Sequence, residues 1–397
     1  MAGLAVRLRE LGAEVRVCAP PDEDFARRLA GVGVPLVPFG PSARALTKAG
    51  PPVPEGLPRR AAEIIAGQLE AVTPAAEGCD VVVAAAGILP AVAGARSVAE
   101  KLGIPSVCVT FQQLTLPSPR RRPLAYPGRP LPPEVTDNQA LWNLDAENIN
   151  ALFREAVNTN RASIGLPPVD NVRDYAFGDQ PWLATDPILD PWQETPGLDV
   201  VQTGAWILPD ERPLPADLSA FLEAGEPPVY VGFGSMPMQA PADVAQVAIE
   251  AVRAQGRRVL VGRGWADLAL IDDQDDCFAV GEVNQQALFG RVAAVVHHGG
   301  AGTTTTATRA GVPQVVVPQL ADQPYWGRRV ADLGIGAVLV RPTPAFAVLA
   351  SMLEAALAPE TRARARAVAG TIRTDGATVA AKLLLDTISR ENPPVPA

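Results

Sequence analysis

Two adjacent histidines, a glycine-rich turn and a run of threonines are the residues of this chain best suited to chemistry. They lie in His297-His298-Gly299-Gly300-Ala301-Gly302-Thr303 and the threonines that follow, after the apolar stretch 292–296. The apolar stretch predicts a buried strand, and the threonines with Gly311 predict a helix and its end. Glycines let backbone N–H groups approach an anion, and a helix N-terminus favours negative charge. The stretch therefore predicts a phosphate-binding turn with exposed histidines as a further donor or a positive charge.

Two other loops in the same half of the chain carry polar groups where a predicted strand ends. Gly232-Phe233-Gly234-Ser235-Met236 permits close backbone approach, and Ser235 can donate to a phosphate. In the loop 318–324, Asp322 and Gln323 suit hydrogen bonds to neighbouring sugar hydroxyls. The combination indicates a diphosphate joined to a sugar. Neither Gly-x-x-x-x-Gly-Lys nor a nicotinamide Gly-x-Gly-x-x-Gly is present, which disfavours a P-loop or a dinucleotide site.

Each feature also has a simpler interpretation. Thr303 could merely cap the helix of a strand–turn–helix unit, and Asp322 could cap the next helix. Arg120-Arg121-Arg122 lies in the proline-rich stretch 117–133 and could face an acidic acceptor, or could keep an exposed loop solvated.

Composition limits the class of protein. With 397 residues, 48% hydrophobic and 19% charged, the chain fits a globular protein of two domains. The net charge of −9 argues against binding nucleic acid. The four cysteines have neither metal-site nor disulfide spacing, which is typical of a reducing cytosol. We find no signal peptide and no stretch that could span a bilayer, so the sequence predicts a cytoplasmic protein.

Strands and helices alternate in both halves, which predicts an α/β fold with doubly wound parallel sheets. The polar, proline-rich stretch Leu208–Pro215 is the predicted linker, and the strand ends of both halves should face a cleft. The predicted strands are 14–19, 35–38, 80–84, 106–110, 182–185, 200–204, 229–233, 258–261, 277–280, 292–296, 314–317 and 337–340. The predicted helices include 4–11, 22–29, 59–72, 92–102, 141–164 and 377–389.

The chain resembles the nucleotide-sugar-dependent GT-B glycosyltransferases that decorate natural products, and among them the enzymes of the vancomycin-group glycopeptide antibiotics. The resemblance implies two Rossmann-like domains: residues 1–205 for the acceptor and residues 206–376 for the donor. It also implies that the final helix and tail, 377–397, return to the first domain. The segments that carry it are 97–105, 162–169, 201–213, 262–268 and 297–304.

The resemblance also implies a site and a reaction. Asp322 and Gln323 would contact the donor sugar, and the backbone of Val283 would pair with the base. A hexose or deoxyhexose would move from a UDP- or dTDP-sugar to a hydroxyl of a natural-product aglycone, with a glycopeptide antibiotic expected. The anomeric carbon would be inverted, and neither a metal nor a cofactor is expected. The residues that would hold the donor diphosphate are Ser235, His298, Gly300, Gly302 and Thr303.

In that family a strand and a Gly-Ser-Arg-Gly-Asp-like loop precede the first helix, and the aspartate of this loop is a candidate base. The present sequence begins beyond that point, so we expect either a start further upstream or the loss of the loop. Within the sequence, Asp322 is the catalytic candidate. The absent loop motivates a second function, a non-catalytic nucleotide-sugar-binding protein. A third is a sugar-nucleotide epimerase of the same fold, which would need no acceptor-binding loop.

Overall fold

Helices and strands alternate along most of the chain, as the hydrophobic pattern predicts. The structure is a computed structural model that describes residues 1–48, 53–234, 241–265, 268, 272, 274–340 and 345–391. The chain divides into two units, and the main change from one to the other falls at Leu208 and Pro209, inside the predicted linker. Unit 1 comprises Met1–Pro187, Pro191–Leu208 and Thr374–Ala397, and unit 2 comprises Ile188–Asp190 and Pro209–Arg373.

Short runs rich in valine form most of the strands, because β-branched side chains pack well on a pleated, buried surface. In the described ranges the strands are β1 (Val17–Ala19), β2 (Leu36–Pro38), β3 (Val82–Ala85), β4 (Ser106–Thr110), β5 (Trp182–Leu183), β6 (Val201–Gln202), β7 (Val229–Gly232), β8 (Val259–Gly262), β9 (Cys277–Val280), β10 (Ala294–His297), β11 (Gln314–Val316) and β12 (Gly336–Val338). All the strand pairs among them are parallel.

The helices begin and end close to the predicted bounds where the apolar period is long. The described helices are α1 (Ala2–Glu10), α2 (Glu23–Ala30), α3 (Ala43–Lys48), α4 (Leu57–Ala76), α5 (Leu89–Leu102), α6 (Asn138–Ser163), α7 (Val172–Phe177), α8 (Ala216–Glu223), α9 (Pro241–Arg253), α10 (Gln285–Leu288), α11 (Ala301–Arg309), α12 (Gln323–Asp332), α13 (Phe346–Leu357), α14 (Pro359–Ala369) and α15 (Gly376–Glu391). No helix within the described ranges is long and apolar enough to cross a membrane.

Unit 2 contains one sheet of six strands in the order β12-β11-β10-β7-β8-β9. The chain moves outward from β7 to β9, returns to the other side of β7 with β10, and then moves outward to β12. The strand order therefore reverses between β7 and β10. In open α/β sheets, ligands bind at the carboxyl ends of the strands at such a reversal, so the sheet places the loops after β7 and β10 where a ligand site is expected.

Both faces of this sheet are covered, as a parallel sheet requires. On one face Val229 and Val231 pack with Ile249 of α9 and Leu353 of α13. On the other face Tyr230 packs in a cluster with Leu288, Phe289 and Val295. Adjacent residues of β7 thus enter opposite cores, which explains the continuous apolar run of this strand.

Unit 1 contains a two-stranded sheet, β1-β2, and a four-stranded sheet in the order β3-β4-β5-β6. Strand β1 is shorter than the predicted 14–19, since the charged residues Glu14 and Arg16 are exposed and lie outside the ladder. The C-terminal helix α15 belongs to unit 1, where Ala380, Ala381 and Leu384 share a core cluster with Leu4 and Leu8 of α1.

The segment 97–105, which carries part of the family resemblance, is held in unit 1 by an ion pair to Arg161, the residue just before the segment 162–169. Arg161, 2% exposed, donates from both guanidinium NH groups to Glu100, at 2.7 and 3.0 Å, and from Nε to the carbonyl of Pro167, at 2.8 Å. The hydroxyl of Tyr175 also lies 2.6 Å from Arg161 Nη1. The bonds of Arg161 therefore hold α5 to the end of α6 and the loop that follows, which is a structural role within this unit.

Candidate active site

The loops after β7 and β10 lie side by side at the carboxyl edge of the unit 2 sheet. A Cβ atom added to Gly234 would lie 3.4 Å from Cε1 of His298, and one added to Gly300 would lie 2.5 Å from its Nε2. The imidazole thus lies close to both glycines and uses the space that the missing side chains leave. Its Nε2 lies next to the residue at which α11 begins, so a donor there would add to the helix N-terminus.

Helix α11 begins without a capping side chain. Its N-cap residue is Gly300, and no side chain accepts a hydrogen bond from the first turn. The interpretation of Thr303 as a cap is therefore wrong, because Thr303 lies inside the first turn. Among the described residues, no hydrogen bond involves the N–H groups of residues 301–303 or the Thr303 hydroxyl. These groups can donate to an anion.

The later hydroxyls of the threonine run already donate hydrogen bonds to carbonyls of the preceding turn. Thr304 donates to the carbonyl of Gly300 at 2.9 Å, and the hydroxyls of Thr305 and Thr306 donate in the same way at 2.8 and 2.9 Å. Such bonds to the carbonyl four residues earlier satisfy a hydroxyl locally. Within the run 303–306, Thr303 is therefore the one residue, in the described part of the chain, whose hydroxyl makes no bond of this kind.

His298 is partly buried and makes no hydrogen bond within the described structure, and its Nδ1 is a buried atom without a partner. Burial lowers the pKa of His298 to about 4, so the ring is neutral at pH 7 when no ligand is bound. A buried polar atom without a partner is uncommon and requires an explanation. The ring is neutral, makes no hydrogen bond to a described residue and lies next to a helix N-terminus without a cap. It is therefore better suited to donate a hydrogen bond to a diphosphate than to supply a fixed positive charge.

The expectation that both histidines are exposed is wrong for His297. This residue is the last of β10, pairs in register with Val316 of β11, and is 0% exposed. Its Nδ1 accepts a hydrogen bond from the Gly299 N–H at 3.1 Å, and its Nε2 lies 3.0 Å from Oε1 of Gln314. The apolar run does not reveal the burial of His297, because the run stops at residue 296 whereas the strand continues through His297.

Asp322 and Gln323 lie together where α12 begins, and each has one polar atom occupied. Oδ2 of Asp322 accepts from Nε1 of Trp326 at 2.8 Å, and the carboxylate makes no cap to the helix backbone. Oε1 of Gln323 accepts from the N–H groups of Gln319 and Leu320 at 2.7 and 3.1 Å. No hydrogen bond in the described part of the chain uses Oδ1 of Asp322 or Nε2 of Gln323, so one acceptor and one donor remain for a ligand.

The loop before α12 contains a strained residue. Ala321 has φ of 54°, the one positive φ outside glycine in the described residues. This conformation costs a non-glycine residue about 1–2 kcal/mol. The two N–H groups accepted by Gln323 hold the loop on one side of Ala321, and the Asp322–Trp326 bond holds it on the other. The surrounding hydrogen bonds therefore maintain the strain next to Asp322.

Val283, the predicted contact to the base, lies in the loop between β9 and α10. Neither its N–H nor its carbonyl takes part in a hydrogen bond within the described structure, so both are available to a base. The next residue, Asn284, holds this loop to the stretch Leu208–Pro215. Its Nδ2 donates to the carbonyls of Asp210 and Arg212 at 2.7 and 2.8 Å, and its Oδ1 caps α10.

One predicted site residue cannot be placed, and one loop at the same edge of the sheet is additional to the prediction. Ser235 lies outside the described residues. The loop after β8 was not predicted to belong to the site, yet the Trp265 N–H donates to the carbonyl of Gly234 at 2.8 Å. Gly264 has φ of +58°, and a Cβ there would lie 2.4 Å from the same carbonyl oxygen. The signal was the Gly-x-Gly spacing of 262–264 directly after an apolar run.

The hypothesis that Arg120, Arg121 and Arg122 all face an acceptor is wrong for Arg121. Its guanidinium donates to Oε1 of Gln113 and, at 2.9 Å, to the Gln113 carbonyl. Its own carbonyl accepts from Nε1 of Trp142 at 2.8 Å. Arg121 therefore holds the proline-rich loop to the body of unit 1.

Comparisons with known proteins give a consistent result. Residues 268–380 match the family described as Erythromycin biosynthesis protein CIII-like, C-terminal domain. Three relatives from Amycolatopsis orientalis are similar to the whole chain. Glycosyltransferase GtfE is 56% identical over 399 residues, which are 100% of this chain and 96% of the relative. Vancomycin aglycone glucosyltransferase is 56% identical over 398 residues, and dTDP-epi-vancosaminyltransferase is 52% identical over 401 residues, each with 100% of this chain and 96% of the relative.

A solved structure is similar over both units. The crystal structure of the glycotransferase of kitacinnamycin covers 98% of this chain and 94% of its own, with a TM-score of 0.70 and 19% identity. At this identity the likeness shows the fold alone.

Proposed function

The chain belongs to the GT-B glycosyltransferase family that includes the vancomycin aglycone glucosyltransferase of Amycolatopsis orientalis, and we propose that it glycosylates a glycopeptide-type aglycone. The donor in this proposal is a UDP- or dTDP-sugar carrying a hexose or deoxyhexose. The names of two relatives support this choice, since one is a glucosyltransferase and the other uses a dTDP-activated sugar. The acceptor group is a hydroxyl, and the reaction inverts the anomeric carbon.

The single observation that carries the proposal is the uncommitted His298 imidazole beside the uncapped N-terminus of α11. The acceptor oxygen forms a bond to the anomeric carbon while the bond from that carbon to the diphosphate breaks. Negative charge then increases on the departing diphosphate. Donors that are already in place around that charge lower the barrier, and the proposed donors are Ser235, His298, Thr303 and the backbone at Gly300 and Gly302.

The remaining contacts follow from the same proposal. The backbone of Val283 pairs with the base, while Oδ1 of Asp322 and Nε2 of Gln323 hold hydroxyls of the donor sugar. The acceptor hydroxyl loses its proton during attack, and Asp322 is the candidate catalytic residue of this sequence for that step. We assign acceptor binding to residues 1–205 and donor binding to residues 206–376. We also propose a cytoplasmic location, supported by four cysteines that are all unpaired.

The test is a transfer assay read by mass spectrometry. The purified chain is incubated with a vancomycin-type aglycone and, separately, with UDP-glucose, dTDP-glucose or a dTDP-amino-deoxysugar. We expect the mass of one sugar to be added to the aglycone with at least one donor. The matched control is His298→Ala with the same donor. Tight nucleotide binding without any glycosylated product would contradict the proposal and favour a binding protein, and epimerisation of the donor alone would favour an epimerase.

A further inference from the structure

A chain of buried hydrogen bonds lies behind the phosphate-binding turn and is not explained by ligand contacts. It starts at the Gly299 N–H, which donates to Nδ1 of His297 at 3.1 Å, and continues from Nε2 to Oε1 of Gln314 at 3.0 Å. Nε2 of Gln314 then donates to the Thr308 hydroxyl at 2.9 Å. That hydroxyl donates to the carbonyl of Thr304 at 2.8 Å. His297, Gln314, Thr304 and Thr308 are each at most 1% exposed.

The direction of every bond in this chain is determined by its first member. A backbone N–H can only donate, so Nδ1 of His297 must carry a lone pair and its Nε2 must carry the proton. Oε1 of Gln314 accepts that proton, which leaves the Gln314 amide nitrogen to donate to Thr308. The chain therefore requires a neutral His297 in one tautomer. Burial, together with the neighbouring His298, lowers the pKa of His297 to about 3, which is consistent with this requirement.

The chain returns to the turn at its other end. Thr304 donates to the Gly300 carbonyl from its hydroxyl at 2.9 Å and from its backbone N–H at 3.0 Å. Gly299 is thus held through its N–H, and Gly300 is held through its carbonyl. Gly299 also has φ of +91°, and a Cβ there would lie 2.6 Å from Cγ1 of Val316 and 3.0 Å from the carbonyl oxygen of Gln323. The turn is therefore fixed on both sides.

We propose that His297 is a positioning residue whose neutral Nδ1, oriented by Gln314, sets the Gly299–Gly300 turn so that the following N–H groups and His298 face the donor diphosphate. This inference rests on the proposed function, because it needs a diphosphate at the turn. His297 itself is fully buried and touches no ligand in this scheme. It acts through the turn, and the loss of its accepting atom should reduce donor affinity more than the stability of unit 2.

Two substitutions by amide side chains test the two ring nitrogens of His297 separately. In His297→Asn the amide oxygen can take the place of Nδ1 and accept from Gly299, while the link to Gln314 is lost. In His297→Gln the amide can reach Gln314, while the acceptor for Gly299 is lost. We expect His297→Gln to bind UDP or dTDP about tenfold more weakly than His297→Asn, with melting temperatures that differ little. The donor KM should rise in the same order, with kcat less affected.

A third variant tests the same inference through the pH dependence of binding, and it replaces one side chain by another of nearly the same size. Gln314→Glu places a carboxylate against Nε2 of His297 and raises the pKa of the imidazole. Once protonated, Nδ1 cannot accept from Gly299. His298 is the one titratable group, among the described residues, that shifts the pKa of His297 by its charge. The partners of His297 on β11 and on the turn, Gln314 and Gly299, carry no charge.

For Gln314→Glu we expect the affinity for a UDP-sugar, relative to the unsubstituted chain, to fall about tenfold between about pH 8 and pH 6. A loss that is equal at every pH would overturn the inference. So would equal affinities of the Asn and Gln variants at His297. Thr306→Ala, which removes an exposed hydroxyl on the same helix, should leave both measurements unchanged. If the unsubstituted chain binds no nucleotide at all, the proposed function itself fails, and that result is recorded before any variant is compared.

Discussion

Replacing His298 by alanine should weaken binding of UDP or dTDP while changing the stability of the fold little. A hydrogen bond from a side chain to a charged group contributes about 1.5–3 kcal/mol. The dissociation constant should therefore rise about 10- to 150-fold. The structure explains why stability should change less. The ring makes no hydrogen bond to the described residues, and its removal also removes the buried Nδ1 that has no partner. We expect the free energy of unfolding to change by no more than about 1 kcal/mol.

Two isosteric variants test which nitrogen acts. Nε2 lies beside Gly300 at the start of α11, whereas Nδ1 is the buried atom without a partner. A glutamine amide can replace Nε2, and an asparagine amide can replace only Nδ1. His298→Gln should therefore recover part of the lost affinity in titration calorimetry, and His298→Asn should not. The opposite order would refute this orientation of the ring, and an unchanged affinity of His298→Ala would remove the residue from the site.

The pH dependence follows from the lowered pKa of His298. The pKa of the free ring is about 4, and a bound diphosphate raises it because a negative charge favours the protonated form. Binding then takes up a proton, so the affinity for a UDP-sugar should increase as the pH falls below the pKa of the bound state, and should be flat above it. His298→Ala should lose this increase. If the affinity of both proteins has the same pH profile, the coupling between protonation and binding is absent.

Three further outcomes are expected. Gly299→Ala should lower both the melting temperature and the nucleotide affinity, because the added Cβ would clash with Val316 and the residue has a φ of +91°. Gly302→Ala should lower only the nucleotide affinity, because an added Cβ there would have no atom within 4 Å. Arg161→Met should destabilise the protein by about 2–3 kcal/mol in urea unfolding, by the loss of the Glu100 pair, and leave the nucleotide affinity unchanged. Ala321→Gly should raise the free energy of unfolding by about 1 kcal/mol, because glycine adopts the positive φ of this position without strain. A decrease in the free energy of unfolding would show that Ala321 is not strained.

Much of the fold could be predicted because its pattern is local. The apolar runs of β7, β8 and β10 are continuous, and a strand that is buried on both faces needs such a run. The alternation with helices predicts parallel sheets, whose carboxyl ends meet at one edge. The glycines and threonines after residue 297 then indicate an anion site before any contact is known. The family resemblance added the assignment of roles to individual residues, which spacing alone does not provide.

The errors arose where the geometry of a helix start or a contact outside the segment overrides a compositional signal. Thr303 is of a residue type that often caps helices, but the backbone enters α11 at Gly300, and no described residue bonds to that hydroxyl. Asp322 also looks like a cap, but Trp326 one turn later takes its carboxylate oxygen. Arg121 looks like a solvated charge, but Gln113 and Trp142 bind it within the loop. The first two outcomes are set by the geometry at the start of each helix, and the third is set by partners outside the proline-rich stretch of Arg121.

The sequence by itself determined the class of fold and the family, and it predicted a phosphate-binding turn, because these depend on periodicity and on motifs along the chain. The tertiary structure alone decided that the two adjacent histidines have different roles. The register of β10 against β11 buries His297 beside Gln314, and the next residue turns His298 toward Gly234 and Gly300. Side chains of successive residues point to opposite sides of a strand, and the residue at which the strand ends is set by the neighbouring strand.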